Sequence, residues 1–68
     1  MNEEELKTYN ELFERISNLM NWDNNKTDTW FWTPNHLLGN QTPISLMYNG
    51  RSWKLSKFVE NQLEGAFE

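Results

Sequence analysis

Residues 30–50 read W-F-W-T-P-N-H-L-L-G-N-Q-T-P-I-S-L-M-Y-N-G, and they hold both prolines, Pro34 and Pro43, with two of the three glycines, Gly39 and Gly50. A proline inside a helix lacks the N–H the helix needs and disfavours helical geometry in the residue before it. A glycine supplies the left-handed backbone on which helices end. A segment cut this often holds only short helices, each with a defined start and stop. Pro34 ends a helix carrying Trp30 and Phe31. Asn35 caps a turn through His36, Leu37 and Leu38, which Gly39 closes. Thr42 and Pro43 are an N-cap and a first helical position. Ile44, Leu46, Met47 and Tyr48 fill the next helix, which Asn49 and Gly50 end.

The flanks read differently. Leu6, Tyr9, Phe13, Ile16 and Met20 step by 3, 4, 3, 4, the period of an amphipathic helix over residues 3–20, with Leu12 and Leu19 widening the stripe. Glu3, Glu4 and Glu5 sit where the helix dipole favours negative charge. Glu11 and Arg15 have i, i+4 spacing on the solvent side. Three asparagines and an aspartate over residues 21–26 predict a loop, with Thr27 or Asp28 capping the helix that follows. The last helix starts near Ser52 and runs to Leu63 or beyond, with Leu55, Phe58, Val59, Gln62 and Leu63 on one face. Gly65 ends it, leaving a tail through Phe67 and Glu68. The expected fold is all-α: one domain over residues 1–68, a small bundle of about four to five helices, two long outer helices flanking short central ones.

Composition narrows the function. There is no cysteine and one histidine, His36, so no metal site or thiol chemistry is expected. No glycine-rich phosphate loop or nucleophile motif is present, and residues 23–34 lack the glycine and bidentate glutamate of a calcium loop. The chain reads as a non-enzyme without cofactors. Ten acidic residues against six basic ones, net charge −4, disfavour direct nucleic-acid binding. No apolar run reaches the roughly 20 residues of a membrane span, and the acidic N-terminus is unlike a signal peptide; a cytoplasmic location is expected. A chain this short buries only about 60% of its unfolded surface, so dense aromatic packing or a partner must supplement its core. Of the triplet Trp30-Phe31-Trp32, the first two are expected in the core and Trp32 at the surface, as a candidate partner contact.

The opening stretch resembles the signature of the toxin-binding domain of Xre/MbcA/ParS-type antitoxins: Trp and an apolar residue, then Pro-Asn, Leu-Gly-Gly, Thr-Pro and an apolar helix closed near a glycine. Trp30 and Phe31 match the opening pair, and Pro34-Asn35, Leu38-Gly39 and Thr42-Pro43 follow in matching order. Leu46 and Met47 match the apolar pair and Gly50 the closing glycine. Asn40 stands where the family has its second glycine, and asparagine tolerates the positive φ required there. The resemblance covers residues 12–65. It implies a domain that binds and blocks a cognate toxin, often a RES-type enzyme that degrades NAD, with the C-terminal part of the antitoxin against the toxin's active site. Here that part is the last helix and tail, so Trp53, Lys57, Phe58, Gln62, Phe67 and Glu68 join Trp32 as partner-binding candidates. An acidic surface and an apolar C-terminal face are expected to suit a basic catalytic cleft. Family members usually add an N-terminal helix-turn-helix that binds DNA; the match here is to the small domain alone, and the acidic balance disfavours that activity. The expectation is a stand-alone antitoxin-like domain, with a phage- or plasmid-type inhibitor or adaptor of another host protein as the alternative. A homodimer and a hetero-oligomer both remain open.

Overall fold

The computed structural model describes residues 1–64, and the expected tail lies outside them. The described chain is mostly helical, in the order α1 (Glu3–Met20), α2 (Asn24–Phe31), a 3₁₀ turn (His36–Leu38), α3 (Pro43–Tyr48), α4 (Ser52–Phe58) and a π-helical segment (Val59–Glu64) that continues α4. It contains no strand; Asn35 and Gln41 form an isolated antiparallel bridge.

Three direction changes use one device, a left-handed residue after a helix whose follower donates to the carbonyl five residues back. Asn21 (φ 55) closes α1, and the Trp22 N–H donates to the Ser17 carbonyl at 2.9 Å. Gly39 (φ 69) closes the 3₁₀ turn, and the Asn40 N–H donates to the Asn35 carbonyl at 3.0 Å. Gly50 (φ 70) follows α3, and the Arg51 N–H donates to the Leu46 carbonyl at 2.8 Å. Asn40 also takes positive φ, 63°, so asparagine tolerates the conformation at this position.

The helix starts are chemically explicit. The Asn2 side chain accepts from the Glu5 N–H, Asp23 from the Lys26 N–H, Asn35 from the Leu37 N–H and Thr42 from the Ser45 N–H. The Asp23 cap revises one expectation. Residues 24–26 are helical, because Asp23 caps α2 four residues before Thr27, and Thr27 and Asp28 lie inside the helix. α4 starts at Ser52, and Arg51 holds the cap position without a side-chain bond.

Aromatic rings from α1, α2 and α4 meet in the core. Phe31 is fully buried. Its ring lies 4.9 Å from Tyr9 and 5.1 Å from Trp30, both edge-on, and 5.8 Å from Phe13 in a stacked pair. Trp30 is partly buried and stacks on Phe58 at 6.3 Å. Adjacent positions on a helix diverge by about 100°, since one turn takes 3.6 residues. Both residues are covered because α2 lies in contact with α1 on one side and carries Trp30 against α4 on the other. Trp32 is 59% exposed, as expected. Leu12 and Ile16 are the buried residues of α1, whereas Leu6 is half exposed. The predicted stripe is therefore too long at its N-terminal end, where Leu6 faces solvent. Burial holds the Tyr9 phenol above its ordinary value of 10.0, and the charges of Asp28 and Tyr48 push the same way. A raised folded value means the native state keeps a proton that the unfolded chain releases. The stabilisation is complete below the unfolded value and is lost as pH rises through the folded one. Chemical-denaturation midpoints measured between about pH 9 and 11 should fall for the wild type and fall less for Tyr9→Phe.

Among the described residues, Thr27 is the buried polar residue of the core, at 0% exposure. Its hydroxyl donates to the Asp23 carbonyl at 3.1 Å and lies 2.6 Å from the Ser17 hydroxyl. With the Thr27 proton engaged, Ser17 is the donor in that contact, which ties α1 to α2. Thr27→Val should destabilise by about 1–3 kcal/mol because it strands the Ser17 hydroxyl. Ser17→Ala combined with Thr27→Val should recover most of that loss, and a double-mutant cycle in urea reads the coupling.

Candidate protein-docking site

α3 is short and almost wholly committed to the core: Pro43, Ile44, Leu46 and Met47 are buried. It packs against α4 and α2, and an open cleft of about 420 Å³ runs between the 3₁₀ turn and α4. Leu37, Leu38, Gly39 and Gln41 form one wall, Leu46 contributes to the floor, and Lys54, Lys57, Phe58, Asn61 and Gln62 form the other wall. The turn wall follows from local chemistry. Leu38 packs against the core, while its neighbour Leu37 is directed outward and is 58% exposed. The opposite wall follows from helical spacing, since residues 54, 57 and 61 stack along one stripe. The wall continues into the π segment, a rare geometry that recurs at functional sites.

The structure therefore brings Lys57, Phe58 and Gln62 together. Phe58 is 8% exposed and stacked on Trp30, so it is a core residue that presents only an edge to the cleft. Trp53, 62% exposed, stands one turn before Lys57 on α4, with the Lys54 ammonium 5.9 Å from its ring. Trp32 sits apart, at the end of α2, and does not line the cleft. Phe67 and Glu68 lie outside the described residues. The signature residues serve the scaffold: Trp30 and Leu38 pack against the core, Asn35 and Thr42 cap, Pro43 starts α3, and Gly39 and Gly50 turn the chain. Pro34 lies in the exposed link between α2 and the 3₁₀ turn.

Sequence reasoning passed over Leu37, Gln41, Lys54 and Asn61. Lys54 and Asn61 were accessible through the spacing of the last helix. Leu37 and Gln41 were not, because α3 separates the turn from α4 in sequence and the two line one cleft only in the folded chain.

The charge of this face differs from that of the chain. Residues 1–28 carry seven carboxylates and three cations, net −4; residues 29–59 carry Arg51, Lys54 and Lys57 with no carboxylate, net +3; residues 60–68 carry three carboxylates, net −3, which together restore −4. No Asp or Glu lines the cleft. The expectation that an acidic surface meets a partner here is thus corrected: the total charge comes from both ends of the sequence, while the α4 face is basic. Among the described residues no group of His, Asp and Glu is placed to hold a metal ion, and none of the described helices is long and apolar enough to cross a membrane.

No protein-family model, curated protein or solved structure matches the chain.

Proposed function

We propose that this domain is a protein-docking inhibitor, an antitoxin-like module that neutralises a toxin enzyme by laying the α4 face across its active site. The observation that carries the reading is a cleft with exposed Leu37 on one wall and Lys54 and Lys57 on the other, on a helix that also carries the exposed Trp53. Clustered exposed apolar groups on so small a domain mark a contact surface, and tryptophan is the side chain most enriched where binding energy concentrates. The resemblance of residues 30–50 to the antitoxin signature supplies the class of partner, a RES-type enzyme that degrades NAD. In this reading α4 and the π segment act as one long outer helix opposite α1, the short central helices fix its angle, and the domain works in the cytoplasm without catalysis of its own. The lysines favour a partner rim that is acidic beside the occluded site. They suit equally the second reading, an inhibitor or adaptor for another host protein with an acidic face.

Co-expression with a RES-type toxin enzyme, followed by co-purification, tests the first reading. Restored growth with a stable complex is expected; unchanged toxicity with no complex would remove it.

A further inference from the structure

We infer that the α4 cleft also accepts the outer face of α1 from a second copy of this chain. The two faces are complementary. A shallower groove of about 340 Å³ runs along the outside of α1, lined by Glu3, Leu6, Lys7, Asn10, Glu11 and Glu14. It is acidic where the cleft is basic, and each surface presents an exposed leucine, Leu6 at 50% and Leu37 at 58%. Within one molecule α1 packs through Leu12 and Ile16, so this groove is a side the fold leaves uncovered. Opposite charges placed around an apolar contact steer encounter and fix register. A domain with a core this small gains from covering two leucines.

The contact is head-to-tail. The molecule that inserts α1 keeps its own cleft open, and the molecule that receives it keeps its own α1 free. Association therefore leaves the same surfaces at both ends and rises with concentration. Its rim is exposed, so salt weakens it. The contact occupies the face assigned above to the inhibited partner, and self-association competes with partner binding.

Sedimentation equilibrium of the intact protein at low salt tests this. The average mass should rise with concentration toward about 1 mM, the weak end of specific association, and fall on adding salt. Lys54→Glu with Lys57→Glu places carboxylates in both faces and should weaken association at least ~10-fold. Glu11→Lys with Glu14→Lys makes both faces basic and should do the same. All four positions are exposed, and circular dichroism verifies folding. Mixed one to one, the two variants again offer complementary faces at every contact, and association should return. A wild type that stays monomeric throughout, association unchanged in both variants, or a mixture that stays as weak as its components would each overturn the inference. Because co-expression reads partner docking separately, a monomeric protein would leave the proposed function standing.

Discussion

Phe31→Ala is expected to unfold a large share of the protein at room temperature. The ring is fully buried and lies against Tyr9, Phe13 and Trp30, so the variant loses its transfer energy and leaves a hole among three large groups that cannot all collapse inward. Such truncations cost about 3–5 kcal/mol. At about 0.05–0.15 kcal/mol per residue, a chain of this length has roughly 3–10 kcal/mol in total. If the variant folds at all, its melting temperature should fall by at least about 12 °C, since 1 kcal/mol moves a domain of this size by about 4–8 °C. Thermal melts followed at 222 nm read the loss. Trp32→Ala, next to Phe31 in sequence but exposed, should stay within about 0.5 kcal/mol of the wild type. Equal losses at both positions would refute the assignment of core and surface within the triplet.

Trp53→Ala is expected to do the opposite, sparing the fold and damaging binding. The side chain is mostly exposed and its only described ring contact is with Lys54, so stability should change by no more than about 0.5 kcal/mol. If the α4 face docks a partner, truncating its exposed tryptophan should cost about 2 kcal/mol or more of affinity, roughly 30-fold. Titration calorimetry against the co-purified partner measures this. Lys57→Ala should act more on the association rate and its salt dependence, as rim charges do. A tryptophan that can be removed with no change in affinity would shift the working surface elsewhere, with Trp32 the next exposed aromatic to examine.

The two outcomes divide the chain into scaffold and surface, and the scaffold was the more legible part. Single residues encode its punctuation. Thr42 before Pro43, Asn35 before the turn, Gly39 after it and Gly50 after α3 each specify a local backbone state that does not depend on distant packing. The periodicity of α1 identified Glu3–Met20 because a long stripe averages over individual errors; Leu6 is where the average misled. The start of α2 was hidden because asparagines favour turns and helix ends alike. Asp23 as a cap and the shared hydroxyl contact of Thr27 with Ser17 decided between them. The cleft was hidden for a different reason. Its walls are about twenty residues apart and face each other only after α3 has folded between them. Its charge was legible, but only in residues 29–59 taken alone, since the chain total conceals a basic segment between two acidic ones.

Most of residues 30–50 serve the scaffold, and the proposed working surface is the α4 face with the 3₁₀-turn wall that Leu37 and Gln41 share with it. Hydrogen–deuterium exchange on the isolated domain and on its complex with the co-purified partner tests this most directly. The predicted result is new protection on peptides covering the 3₁₀ turn and residues 52–64, with exchange along the outer face of α1 unchanged. Protection confined to α1, or to the end of α2 around Trp32, would contradict it.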